Sequence, residues 1–360
     1  MEIADYNDVL LDMKDGKKID WDGHKYANSH LVDSYRRLEH HKKAERCSFC
    51  GSLLVFKVYE NGERKLHQAQ FCRDRLCIMC AWRRSLKMFA QTSKIMTVFQ
   101  HEGDYKFLFL SLTVRNCPAE KLHETIDMIF YGFKKFVLRK EIKKVCKGWF
   151  RALEVTHNWD TNEYHPHFHV VIAVDEVYNH YHPDYITHEE FKNIWKECCS
   201  LNYEPWVHIQ TAKHKEGDYG KAVAEISKYT VKPSDYLGEG FSIKDKKDPI
   251  EANYGRIDEI VNTLIGGLKG RRLIAYGGRF KELHRQLNLD DALDGDLVVV
   301  DGDDIRPDLA YVLVKYGWQA GYKQYIKVEA RTHDTDGGDP KGALRALGVA
   351  SGRRRAHSIT

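Results

Sequence analysis

The run Tyr164-His165-Pro166-His167-Phe168-His169-Val170-Val171-Ile172-Ala173-Val174 constrains this chain more than any other stretch. Alternating histidines lead into a continuous apolar strand. Side chains alternate faces along a strand, so His165, His167 and His169 point the same way. Two imidazoles from adjacent same-face positions of a rigid element make a clamp for a divalent metal. One histidine alone would read as a solvent-facing strand edge; His-x-His at a strand entrance favours the clamp.

Such a clamp usually takes an oxygen ligand from a neighbouring strand. Gly148 to His157 reads as a strand, Asn158 to Glu163 as a polar hairpin loop, and His165 to Val174 as the returning strand. Glu154, in Arg151-Ala152-Leu153-Glu154-Val155-Thr156, therefore sits on the strand that pairs with the histidines. A carboxylate among apolar neighbours needs a partner, and a metal supplies one; the alternative is an exposed sheet carboxylate. Mixed nitrogen and oxygen ligation suits Mn²⁺ or Mg²⁺ acting on phosphates, with Zn²⁺ still open.

A second constellation lies on a helix expected from Lys221 to Val231, which Pro233 must end. Glu225, Lys228, Tyr229 and Lys232 fall within an arc of about 100° on that helix. A phenol among cations can lose its proton and attack a phosphodiester, and the carboxylate one turn earlier can activate water. A surface helix laced with salt bridges is the plainer alternative.

The third is Cys47-x2-Cys50 followed by Cys72-x4-Cys77-x2-Cys80. Two CxxC knuckles around a hairpin-like insert, Leu53 to Lys65, predict a zinc-ribbon-like module holding Zn²⁺ through Cys47, Cys50, Cys77 and Cys80. Cys72 is a surplus thiol able to replace one of the four. Arg73, Arg75, Arg83, Arg84 and Lys87 surround the knuckle and, with Lys232, are candidates for contacting DNA phosphates. Cys117, Cys146, Cys198 and Cys199 read as packing residues.

The remaining features bound the class. The 360 residues are 42% hydrophobic and 30% charged with a net charge of +4, which describes a soluble chain of two or three domains, mildly basic. The segment Met1 to Asp20 is acidic and polar, unlike a signal peptide, and no apolar run would cross a bilayer. Nine cysteines without a secretion signal favour reduced thiols and a cytoplasmic location. Hairpin-linked strands with interspersed helices predict an α+β fold on an antiparallel sheet. The expected division is 1–46 polar and helical, 47–100 the cysteine module with a basic helix, and 101–240 the catalytic domain. It continues with 241–330, a helical and strand region, and 331–360, a Gly-, Asp- and Arg-rich disordered tail.

Together these motifs resemble the rolling-circle plasmid replication initiators of the HUH endonuclease superfamily, in the class with an N-terminal cysteine module. Phe109-Leu110-Ser111-Leu112-Thr113-Val114-Arg115-Asn116 is similar to the first motif of that family, His165 to Val170 to the second, and Glu225-Ile226-Ser227-Lys228-Tyr229 to the third. Cys72 to Lys87 and Tyr276 to His284 resemble its N-terminal and C-terminal motifs, so the likeness runs from about Arg46 to Val328.

The resemblance implies that His167 and His169 carry the metal, that His165 does not, and that Tyr229 is the nucleophile. Attack at the plasmid origin, presented as a single strand or hairpin, would leave a 5′-phosphotyrosine and a free 3′-hydroxyl primer. Glu225 would promote hydrolysis at termination. The chain has no Gly-x4-Gly-Lys-Ser/Thr loop, so a host helicase must unwind for the host polymerase. A dimer is compatible with this class. The rivals are a histidine-triad nucleotide hydrolase, a zinc-ribbon DNA-binding regulator without catalysis and, inside the superfamily, a relaxase or transposase.

Overall fold

In a computed structural model, residues 9–14, 16–212, 223, 227, 230–238, 241–250, 253–300 and 310–332 are described, side chains only as far as 328. The chain divides into two units that interleave in sequence, one of residues 1–23, 49–71 and 303–360, the other of 24–48 and 72–302.

In chain order the described elements begin with β1 (Met13–Lys14), β2 (Lys17–Lys18), α1 (Trp21–Arg37), α2 (His41–Phe49), β3 (Leu53–Tyr59), β4 (Arg64–Ala69) and α3 (Ile78–Glu102). There follow β5 (Tyr105–Leu112), α4 (Leu122–Phe136), α5 (Lys140–Val145), β6 (Gly148–Asn158), β7 (Glu163–Asp175), α6 (His188–Cys198) and β8 (Val207–Thr211). The last are α7 (Pro233–Leu237), α8 (Tyr254–Leu268), β9 (Ile274–Gly278), α9 (Arg279–Gln286), β10 (Tyr311–Gln319) and β11 (Gln324–Thr332). No helix among the described residues is long and apolar enough to cross a membrane.

The larger unit is built on an antiparallel sheet of order β8-β5-β7-β6-β9. This is the α+β architecture expected from the hairpin pattern. Its centre is the β6–β7 hairpin, closed by Asn158, whose Oδ1 accepts from the backbone N–H of Asp160 at 2.8 Å and Thr161 at 3.0 Å. Asn162 completes the turn at φ 56°, a left-handed conformation asparagine tolerates.

Alternation divides the sheet residues between two cores. Phe107, Phe109, Phe150, Ala152 and Val171 face Met88, Ile95, Met96 and Phe99 of α3, with Phe280 and Leu283 of α9. On the other face Phe168 meets Phe130 and Phe133 of α4 at ring distances of 5.2 and 5.5 Å, and Trp195 of α6 beyond. The α6 start is a capping box: Thr187 Oγ accepts from the Glu190 N–H and the Glu190 carboxylate accepts from the Thr187 N–H. At β9, Gly277 lies under the Trp149 indole, where a Cβ would stand 2.1 Å from the ring; only glycine lets β9 close on β6 there.

In the smaller unit, β3 and β4 form the hairpin expected between the cysteine pairs. Its partner is β10, giving a four-stranded antiparallel sheet of order β11-β10-β3-β4. Leu54, Phe56 and Val58 stand opposite Tyr316, Val314 and Val312, and all six are buried. Trp21 packs edge-on against Phe56 and donates from Nε1 to Asp12 at 2.8 Å.

Phe168, between the two clamp histidines in sequence but on the opposite face of β7, is fully buried. Phe168→Ala should cost about 3–5 kcal/mol of stability in urea or guanidinium unfolding, and Phe168→Leu markedly less.

Candidate metal centre

The β6–β7 register sets Glu154 directly opposite His167 and Ala152 opposite His169. Residues opposed in an antiparallel pair share a face, so one carboxylate and two imidazoles project together. One ligand atom from each of Glu154, His167 and His169 lies within 4.8 Å of the others, and the group is largely buried. His169 Nε2 stands 2.6 Å from Glu154 Oε2, His167 Nε2 3.4 Å from the same oxygen, and the two Nε2 atoms are 3.3 Å apart.

The far side of each ring is also set. His167 Nδ1 lies 3.0 Å from the His165 carbonyl, which can only accept, so Nδ1 carries a proton and Nε2 is the nitrogen that faces inward. His169 Nδ1 lies 3.4 Å from Ser111 Oγ on β5. Two inward Nε2 atoms and a carboxylate converging on one point would, with both Nε2 atoms deprotonated, be the donor set of a divalent cation. Burial would raise the Glu154 pKa, but hydrogen bonds from both histidines, the charge of His167 and the Lys232 ammonium hold it far below the usual carboxylate range. The site therefore presents an ionised oxygen ligand.

His165 stands outside this group. Its Nδ1 is 2.8 Å from Asn116 Oδ1, and burial with the neighbouring His167 pushes its pKa down to about 4. Lys232, expected at DNA, instead places Nζ 2.9 Å from Glu154 Oε1.

Tyr229, Glu225 and Lys228 lie outside the described residues. Their described neighbours are tied to α3 and to the edge of β6. Val223 is buried in the core shared with α3. The Ser227 carbonyl accepts from Ser85 Oγ of α3 at 2.5 Å, and the Thr230 carbonyl accepts from the Val155 N–H at 2.7 Å, one residue from Glu154.

The second cluster is sulfur. The thiols of Cys72, Cys77 and Cys80 lie within 4.8 Å of one another, and Cys47 Sγ is 3.6 Å from Cys72 Sγ. Cys72 is thus a full member of the cluster rather than a spare. Arg73, at φ 60°, turns the knuckle so that its N–H points at Cys80 Sγ, 3.2 Å away. Asn28 clamps the knuckle, donating to the Cys47 carbonyl and accepting from the Ile78 N–H, each at 3.0 Å. Cys50, also buried, starts the next stretch of chain and belongs to the smaller unit. Neither Asn28 nor Ser111 stood out in the sequence, because each acts through a contact distant along the chain.

Two of the arginines expected at phosphates are buried and turned inward. Arg83 donates to the carbonyls of Leu297 at 2.9 Å and Val298 at 2.7 Å. Arg84 donates to Leu293, Asp74 and Arg73 carbonyls at 3.1, 3.0 and 2.6 Å. Lys87 pairs with Asp290 at 2.7 Å. These cations satisfy a loop that has no ladder of its own. The acidic run Asp290, Asp291, Asp294 and Asp296 was the available sequence signal. Arg75 is half-buried and donates to the Leu268 carbonyl, while Arg73 is exposed.

Residues 63–326 match the family model Rep_1, described as a replication protein. The chain is 39% identical to "Protein rep" of Bacillus amyloliquefaciens over 86% of its own length and 94% of that protein. It is 34% identical to "Protein rep" of Streptococcus pneumoniae over 88% and 95%, and 40% identical to a "Protein rep" of a Bacillus species over 72% and 85%. No solved structure matches the chain.

Two substitutions separate the roles assigned here. Glu154→Ala should weaken Mn²⁺ binding in calorimetry by about tenfold or more. Arg84→Met should lower stability by roughly 2 kcal/mol or more, by orphaning buried carbonyls, while leaving the salt dependence of DNA binding unchanged.

Proposed function

The chain belongs to the Rep_1 family of replication proteins, and from that premise we propose that it initiates rolling-circle plasmid replication as an HUH nickase. One observation carries the reading. Glu154, His167 and His169 converge on one sheet face, and the described residues on either side of Tyr229 are held nearby, Ser227 by α3 and Thr230 by the edge of β6 beside Glu154.

In this reading Glu154, His167 and His169 hold Mn²⁺ or Mg²⁺, with Lys232 fixing the second oxygen of Glu154. A bound divalent ion would polarise the scissile phosphate of the origin strand and offset its developing charge. The Tyr229 phenol attacks phosphorus, a bond forms from its oxygen to phosphorus, and the bond to the 3′-oxygen breaks. The phenolic proton ends on that 3′-oxygen, leaving a 5′-phosphotyrosine and a primer for the host polymerase. Lys228 favours the phenolate by its charge. Because phosphodiester energy is kept in the phosphotyrosine, rejoining needs no ATP. Glu225 acts at termination as the base that activates water, so covalent enzyme does not accumulate.

A structural Zn²⁺ fits the sulfur cluster, held by Cys72, Cys77 and Cys80 with a fourth thiol from the Cys47-x2-Cys50 pair. Arg73, exposed on that knuckle, is the arginine of the set free to approach phosphate. The protein works in the cytoplasm with a host helicase, as a monomer or a dimer.

On supercoiled plasmid carrying the cognate origin, Tyr229→Phe should reduce nicking and the covalent protein–DNA band on a denaturing gel by roughly a thousandfold or more. Glu225→Ala should nick normally but release products about a hundredfold more slowly. EDTA should stop nicking by the wild type. An adduct formed at the wild-type rate by Tyr229→Phe would exclude this mechanism.

A further inference from the structure

The metal-bearing face of the sheet does not end at the histidines. Ser111 on β5 stands opposite His169 on one side and opposite His208 of β8 on the other. Opposed residues share a face, so His169, Ser111 and His208 form one row across three strands. Trp206 immediately precedes β8, two residues before His208, and its ring stacks on the His208 imidazole.

Trp206 is 63% exposed, and its indole lies parallel to the His208 imidazole, with ring centroids 5.7 Å apart and 8° between planes. An indole this exposed buries little apolar area for the fold, so packing does not explain it. Its backbone is nevertheless held firmly. The Trp206 carbonyl accepts from Thr113 Oγ at 2.6 Å and the Thr113 N–H at 3.4 Å, and the Thr113 carbonyl accepts from the buried Trp195 indole at 2.8 Å. A second stack lies alongside. The exposed Arg115 guanidinium sits 4.1 Å over the Tyr203 ring, and the Tyr203 hydroxyl accepts from the Arg115 N–H at 3.0 Å.

We propose that Trp206, backed by His208, is a stacking platform for an unpaired base of the origin strand next to the scissile phosphate, and that Arg115 contacts the adjoining backbone. This rests on the nickase reading above and adds to it where the substrate strand runs. Three observations select single-stranded DNA as the occupant. The platform is continuous with the metal row through Ser111, at two strand spacings or about 10 Å from His169. A flat exposed aromatic accepts any base by its π-face, but only from a strand whose bases are free of a duplex. A cation stacked on a tyrosine beside it complements the phosphate chain. The preorganised backbone of Trp206 reduces the ordering cost when a base lands.

The test uses the full-length protein, an oligothymidylate and the single-stranded origin segment spanning the nick, each fluorescently labelled. Trp206→Ala should weaken binding of both by about 5- to 100-fold, and Trp206→Phe should restore most of it. His208→Ala should give a smaller loss in the same direction. In adduct formation with Mn²⁺, Trp206→Ala should raise the half-saturating oligonucleotide concentration with little change at saturation, which a merely structural defect would not produce. A 2-aminopurine walked through the origin segment should be quenched at one position by the wild type and not by Trp206→Ala.

Unchanged affinity and half-saturation in Trp206→Ala, with normal adduct formation by the wild type, would overturn the platform and leave the nickase standing. Wild-type protein that binds the strand through Trp206 yet forms no adduct would retain the platform and remove the nickase. Wild-type protein that binds neither oligonucleotide removes both.

Discussion

The candidate site depends on one register, that of β6 on β7. Glu154 faces His167 only in the alignment that also pairs Phe150 with Val171 and Leu153 with Phe168. A slip of β6 by one residue would turn Glu154 toward the aromatic core of α4 and α6 and carry Leu153 to the opposite face. The two hydrophobic cores therefore hold the polar site in place: each side chain that would be buried wrongly after a slip adds to the cost of losing the clamp. The Asn158 turn supplies the local part of this specification, and the flanking strands β5 and β9 the non-local part.

That arrangement explains how a carboxylate can be buried without instability. Glu154 is 4% exposed, and desolvation alone would favour its neutral form. Three nitrogens answer it instead: both imidazoles on Oε2 and the Lys232 ammonium on Oε1. The same three keep a negative ligand ready in a space that water reaches poorly, and they connect β6 to the chain just past Thr230. Lys232 thereby fixes the second oxygen of Glu154 from the chain beyond Thr230.

Local and near-local features were legible in the sequence. The strand pair β6–β7 follows from an apolar run, a polar turn and a second apolar run, and Glu154 follows from counting across that hairpin. The α6 capping box and the helices α3, α4 and α8 follow from periodicity and cap residues. What the sequence alone did not disclose depends on partners far along the chain. The pairing of β3 with β10 joins residues near 55 to residues near 315, and nothing in either segment names the other. Arg83 and Arg84 look like a surface charge run because the carbonyls they satisfy lie at residues 293–298. The exposure of Trp206 became informative only once Ser111 had linked the neighbouring strand β8 to the histidines.

The helix α3 joins the two clusters into one mechanical system. Its N-terminus carries Cys77 and Cys80, its next turns carry Ser85 against the Ser227 carbonyl, and its later turns carry Met88, Ile95 and Phe99 into the sheet core. A helix transmits position along its axis with little loss, since every turn is hydrogen-bonded to the next. The sulfur cluster and Asn28 fix where that helix begins, and Arg84 locks the same turn to the Asp74 and Arg73 carbonyls of the knuckle. Displacing the knuckle would shift Ser85, and with it the backbone on one side of Tyr229, while Thr230 on the other side stayed bound to β6. The cysteine knuckle is thus connected to the candidate site through a single rigid element, without itself touching it.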